Sequence, residues 1–386
     1  MVESYIFGGI GVAAAAALAL SGRWRVLLLP ARIPARKMTV RRLRLLVSDA
    51  ADVERIDGIL SHFAAGFNTA LTAVSDRTWR VFCDSLDPLY QPFAHEGAAM
   101  AYLPRHLFRF DPEHFERTIV KPAPGFRYLH YVGLGFWWGM RRTAPARVAE
   151  SVRPLDVLHR YLCFDGYGFT QAFFHDRRRP DALRRLDAFP GYARNAAYQG
   201  AGRALYFLYH SDPEALMTRL EGLGDMAAEA AGGVGLAAAF VNPDRLEKAL
   251  ALAERFPPGW RAHVHLGLCF GLKARSINDV GWFEENVSRL PADVQEAIRA
   301  SIRECDRVEL RVRDAVRGDA TITGYRRWRE TVAEWMMREI SYPLRGLQRA
   351  AERRGKTVSG KTEGESARSA SSDPVRVVPP AGGERV

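Results

Sequence analysis

The chain has 386 residues, 47% hydrophobic and 26% charged, with a net charge of +11, a composition that suits a folded globular protein with ample apolar surface for a core. Its four cysteines, Cys83, Cys163, Cys269 and Cys305, stand far apart with no CxxC or Cys/His cluster, which excludes a disulfide-dense scaffold and a zinc site of ordinary spacing. Eight of the surplus positive charges fall in residues 23–44, so the body of the chain lacks the basic stripe that nucleic acid requires, and no nucleic-acid partner is expected.

In chain order, Ser4 to Gly22 is an uncharged run of 19 residues with YIFGGIGVAAAAALAL at its centre, long enough as a helix to span roughly 28 Å. Arg23, Arg25, Arg32, Arg36, Lys37, Arg41, Arg42 and Arg44 follow it. By the positive-inside rule, residues 4–22 form a membrane helix and residues 23–44 a basic juxtamembrane segment, with the main body on the cytoplasmic side. Glu3 before the run and the cations after it oppose a cleaved signal peptide. The other reading is an alanine-rich helix docked on the protein, which leaves the chain cytoplasmic.

Residues 38–92 read as a helical lead-in, with Gly66 a degenerate copy of a motif that follows. Gly97, Gly133, Gly166, Gly200, Gly233 and Gly267 are separated by 36, 33, 34, 33 and 34 residues. Two positions after each stands another small residue: Ala99, Gly135, Gly168, Gly202, Gly235, Cys269. Two positions before stands His95, Tyr131, Phe164, Tyr198, Ala231 or His265, and three after stands Met100, Phe136, Phe169, Arg203, Leu236 or Phe270. A period of about 34 residues accommodates two helices and two turns. Asp111-Pro112, Asp212-Pro213 and Asn242-Pro243 read as helix starts, a capping side chain before proline. Glycine costs up to about 1 kcal/mol within a helix, and close helix–helix approach explains its recurrence. Without a βαβ context the G-x-G pairs are not a dinucleotide fingerprint.

The pattern then fades into two amphipathic helices, 293–316 and 325–349, with Trp328, Val332, Trp335 and Met336 on one apolar face of the second. The tail 351–386 is too poor in apolar residues to order itself. The expected fold class is all-α, a solenoid-like array of helix pairs over residues 45–350 that stays open or closes toward a toroid, with an N-terminal apolar helix in residues 1–22.

FAHEGAAM (93–100), YVGLGFWWGM (131–140), FDGYGFTQAFFH (164–175), YQGAGRALYF (198–207), GVGLAAAF (233–240) and GLKAR (271–275) occur in this order. Over residues 38–315 the chain resembles a family of uncharacterised bacterial proteins, a domain of unknown function, best known from genes beside enediyne polyketide synthases. The resemblance implies a setting in polyketide or enediyne biosynthesis and no particular reaction.

Candidate chemistry lies where polar residues interrupt the repeat. Arg203 occupies a phase that is apolar in the other copies, so its guanidinium points at packed surface and needs partners. The phase before the glycine carries Glu96, Asp165 and Gln199, which stacking would align as one polar column. That column is either a structural ion-pair network or a polar spot that orients a ligand. His95, His130, His175 and His265 are candidates for acid–base work, with packing the competing account of His95 and His265. Arg275 is either a carboxylate or phosphate binder or a solvated helix end. Trp137, Trp138, Phe173, Phe174, Tyr206 and Phe207 read as an aromatic cluster. The ligand-binding candidates are therefore Glu96, Asp165, Gln199, Arg203, His175, Phe173, Phe207 and Arg275, with no metal and no cofactor. In the polyketide or enediyne setting that the resemblance implies, the expected function is a non-catalytic accessory protein that binds a hydrophobic polyene-like intermediate, or the biosynthetic enzymes, at the cytoplasmic membrane face. The alternatives are an enzyme with an α/α cavity and a protein scaffold without a small ligand.

Overall fold

The computed structural model describes residues 24–318 and 323–339, and among them every regular element is helical. Nine longer helices carry the fold: α1 Ala50–Thr72, α2 Gln91–Met100, α3 Arg127–Met140, α4 Tyr161–His175, α5 Tyr192–Leu208, α6 Ala227–Val241, α7 Pro258–Asn278, α8 Ala292–Gly318 and α9 Gly324–Glu339. Shorter helices, among them Asp76–Asp84, Pro145–Val152, Pro213–Glu221, Leu246–Ala253 and Val280–Val287, connect the first eight. Each of α1 to α6 packs on the next in sequence, and α8 and α9 pack on α7 and on each other. No described helix is long and apolar enough to cross a membrane. The segment 4–22 and the tail 351–386 lie outside the described residues.

The glycine period sets this packing. A helix turns by about 100° per residue, so glycines two apart lie on nearly opposite faces. In α4, a Cβ on Gly166 would overlap the Val132 carbonyl of α3, and a Cβ on Gly168 would overlap the Ala197 carbonyl of α5. One glycine admits the preceding helix and the other the following helix, each to backbone contact. The same register runs from α3 to α6. Gly66 belongs to it as a forward-facing glycine, against Ala94 of α2. At the other end Cys269 replaces the forward glycine of α7, and its sulfur lies 3.3 Å from Cys305 Sγ of α8, an ordinary side-chain contact. The motif ends where backbone contact ends.

The start signals hold at two of three places. Asp111 Oδ1 accepts from His114 N at 3.0 Å and Asp212 Oδ1 from Ala215 N at 2.9 Å. Asn242 does not cap. It is buried, its amide donates to Tyr206 Oη and to the Ala238 carbonyl at 2.9 Å each, and the next helix begins at Leu246. In α9 Trp328, Val332 and Met336 are buried, whereas Trp335 is only half-buried.

The first helices also meet the last. Arg55 of α1 makes a two-pronged ion pair with Asp244, at 2.6 and 2.7 Å. Phe93 of α2 packs edge-to-face on Phe240 of α6, with centroids 5.4 Å apart. Asn278 at the end of α7 donates to the Gly125 carbonyl just before α3 at 2.7 Å. The basic segment that precedes α1 lies along it as a strap. The Asn68 amide clamps the strap by bonding both Ile33 N (2.8 Å) and Ile33 O (2.7 Å), and Asp57 Oδ1 accepts from Val40 N at 2.6 Å.

Candidate functional site

Because the glycines fix the rotation of each helix, equivalent repeat positions face the same way. The position before the first glycine and those three and seven after it form one stripe, at spacings of four residues. This stripe faces two partly open cavities. The larger, of about 350 Å³, takes Phe63 from α1, Glu96 and Met100 from α2, Phe136 and Met140 from α3, Phe169 and Phe173 from α4, and Arg203 and Phe207 from α5. The strap adds Arg32, Ile33, Pro34, Lys37 and Met38 to its lining. The smaller, of about 50 Å³, is lined by Val132, Asp165, Leu236, Phe240, Phe270, Tyr325 and Trp328 among others, and Arg203 lines both. The Phe wall is continuous. Phe136 stacks on Phe169 at 4.9 Å, Phe169 on Phe173 at 5.3 Å, and Phe207 meets Phe169 edge-on at 5.9 Å.

Four polar side chains stand between the cavities. Arg203 Nη1 pairs with Asp165 Oδ1, and Nη2 lies 3.3 Å from Glu96 Oε1. Gln199 Nε2 donates to Asp165 Oδ2 at 2.8 Å, and the Gln199 amide also meets Tyr325 Oη. All of them are buried. Thus Glu96, Asp165, Gln199 and Arg203 do converge, on residues drawn from α2, α4 and α5. The Arg203 guanidinium also lies 5.4 Å from the Phe169 ring centre, a cation–π contact.

One guanidinium faces two carboxylates here, and they are not equal. Burial raises the Glu96 carboxyl, Arg203 pulls it back, and nearby Asp165 raises it again, leaving it at about 7. Burial works against the Arg203 charge, but Asp165 and Glu96 outweigh it and its pKa is raised. The Glu96 proton therefore contributes to stability. Its folded pKa exceeds the unfolded one, so the folded chain holds more protons between about pH 4.5 and 7, and stability falls as pH rises through that window. Comparing urea-unfolding free energies at pH 5 and pH 8 for the wild type and Glu96→Gln tests this. The wild type is expected to lose up to about 3 kcal/mol more than the variant; parallel losses would refute it.

Phe173 and Phe207 line the cavity, but two other candidates lie elsewhere. His175 ends α4 half-exposed, and it lines neither cavity; burial and then Arg142, Arg179 and Arg178 lower its pKa. Arg275 is not a solvated helix end. It is buried, and its nitrogens donate to the carbonyls of Phe240 (2.7 Å), Leu89 (3.1 Å) and Pro88 (3.4 Å), with the guanidinium 4.2 Å from the Phe240 ring centre. It ties α7 to the start of α2. No described histidine lines either cavity. His95 is stacked on Phe126 and bonded through Nε2 to Asp84 at 3.0 Å and through Nδ1 to His130 at 3.3 Å. Burial lowers the pKa of both rings. The tryptophans also turn away from the Phe wall: Trp137 stacks on Phe108, and Trp138 meets Phe110 edge-to-face. Among the described residues no group of three or more His, Cys, Asp or Glu is arranged to hold a metal ion.

Sequence reasoning missed Phe63, Phe136, Phe169 and Met140 as cavity residues, although the repeat phase of Glu96 and Arg203 also contains them. It missed Tyr325 and the strap residues Arg32 and Lys37, which no periodicity marks.

These features define a class: an all-helical protein whose glycine-paired helices enclose an aromatic cavity beside a buried ion cluster. Residues 21–336 match the family described as "Protein of unknown function (DUF1702)", and the chain belongs to that family. No curated protein and no solved structure matches it.

Proposed function

We propose that the chain is a non-catalytic accessory protein that binds one hydrophobic, polyene-like molecule in the 350 Å³ cavity. The observation that carries this reading is the cavity itself, within the usual size range of small-molecule sites, walled by Phe63, Phe136, Phe169, Phe173 and Phe207, with few polar side chains in its lining. In this reading the helix pairs form a closing solenoid-like array around the ligand. The biosynthetic setting, polyketide or enediyne, rests on the resemblance to proteins encoded beside such synthases. Residues 4–22 would anchor the chain at the cytoplasmic membrane, where an apolar molecule partitions.

The test is a fluorescence titration of the full chain with cis-parinaric acid, a conjugated tetraene that brightens in apolar surroundings. Saturable binding by the wild type is expected, with at least a tenfold loss in Phe173→Ala/Phe207→Ala while cooperative unfolding persists. Unchanged affinity in the double variant would sink the cavity reading. An enzymatic reading is favoured by one observation, the Glu96 carboxyl at about 7 on the cavity wall, a value suited to acid–base work near neutrality. Turnover of a bound polyene that disappears in Glu96→Gln, with binding retained, would favour it over the accessory role.

A further inference from the structure

The two ends of the cavity differ in charge, and the difference specifies the ligand. At the inner end Arg203 already faces Asp165 and Glu96. A second anion brought there would meet two carboxylates around one neutralised guanidinium, and a cation would meet the guanidinium at close range. Burying an unpaired charge is costly, so this end suits an uncharged group. Glu96 uses Oε1 for Arg203, which leaves the rest of its carboxyl to meet a carbonyl, a hydroxyl or plain hydrocarbon.

The mouth is different. Arg32 and Lys37 line it and are exposed, and an adjoining depression is lined by Arg36, Lys37, Arg42 and Leu43. Apart from Glu96 at the inner end, no carboxylate among the described residues lines the cavity or this depression. No described acidic side chain pairs with Arg32 or Lys37. These cations are held in place, because the strap is clamped at Ile33 by Asn68 and at Val40 by Asp57. Between the two ends the wall is almost entirely aromatic and aliphatic. A volume near the lower end of the small-molecule range fits one chain better than two.

We propose that the cavity takes a single-chain amphiphile tail first, with an uncharged tail end against Glu96 and Arg203 and an anionic head group held at the mouth by Arg32 and Lys37. This rests on the cavity being a ligand site, and it adds the class and orientation of the ligand.

The experiment displaces bound cis-parinaric acid from the full chain with compounds sharing a sixteen-carbon chain, each below its micelle concentration: hexadecanoate, hexadecyl phosphate, hexadecanol, hexadecyltrimethylammonium and hexadecanedioate. Hexadecanoate and hexadecyl phosphate are expected to displace the probe at concentrations about tenfold lower than hexadecanol, with the ammonium weakest, the size of effect that two exposed cations supply. The ratio between the two anions tells a fatty-acid source from a phosphate monoester source. Hexadecanedioate, which forces a carboxylate against Glu96 and Asp165, is expected to be at least tenfold weaker than hexadecanoate. Arg32→Glu/Lys37→Glu, at exposed positions that leave the fold intact by circular dichroism, is expected to invert the order of anion and ammonium. Equal displacement by all head groups, or an order that survives the charge reversal, overturns the head-group assignment and leaves the cavity reading standing. Equal affinity for hexadecanedioate overturns the orientation. Absence of any binding by the wild type overturns both.

Discussion

Replacing Arg203 by methionine will lower the unfolding free energy by about 3–5 kcal/mol in a urea titration at pH 7, the cost of stranding a buried charge by removing its partner. Methionine keeps the long apolar stem, so little packing is lost and the effect isolates the guanidinium. The two carboxylates it abandons respond differently. Glu96 already has its pKa at about 7 and can take up a proton at modest cost. Asp165, 1% exposed, retains only the Gln199 amide as a hydrogen-bond donor, so most of the loss sits there. Adding Asp165→Asn to Arg203→Met is therefore expected to restore most of the stability, whereas adding Glu96→Gln restores little. This asymmetry distinguishes a coupled buried cluster from a general packing defect, because neighbours in one network are non-additive while a packing defect would accumulate. A single-variant loss below about 1 kcal/mol, as for an exposed pair, or equal rescue by both second substitutions would overturn the account.

The part of this site that was legible in the sequence is the part set by the repeat. Backbone contact at glycine allows each helix little rotation, so a residue one before Gly97, Gly166 or Gly200 faces inward each time. Glu96, Asp165 and Gln199 therefore form the expected column, and Arg203, four residues from Gln199, reaches it. The phases of the six copies describe a rotation, however, and carry no information on depth. Trp137 and Trp138 belong to the same aromatic-rich motifs as Phe136 but follow it by one and two residues, about 100° and 200° around the helix, and so pack on Phe108 and Phe110. His175 lies beyond the last inward turn of α4. Arg275, eight residues after Gly267, reaches the carbonyls of Pro88 and Leu89 because the late helices return to the early ones, a closure that local spacing does not encode. The strap was read only as charge beside an apolar run. Its placement depends on Asn68 meeting Ile33 across 35 residues, and the contact of Tyr325 with Gln199 spans 126 residues; neither has a periodic signature.

Gly200→Ala will lower the melting temperature by about 4–5 °C, corresponding to roughly 3 kcal/mol for a domain of this size, although alanine is the better helix former by up to about 1 kcal/mol. The added methyl would overlap the Asp165 carbonyl oxygen and lie within 2.5 Å of its carbon and 2.7 Å of its Cα. These are backbone atoms in the middle of a neighbouring helix, so no side chain can rotate aside, and α4 and α5 must separate. The separation would also draw Asp165 away from Gln199 and Arg203, coupling the packing defect to the ion cluster. Gly259→Ala is the control: it too lies in a helix, the first turn of α7, but a Cβ there meets nothing within 4 Å. It is expected to leave the melting temperature unchanged or raise it slightly. If the two variants melt alike, then propensity rather than contact governs these positions, and the glycine period would need another cause. If Gly200→Ala melts early and Gly259→Ala does not, the 34-residue period is a record of backbone contacts, and the inward stripe that forms the cavity follows from it.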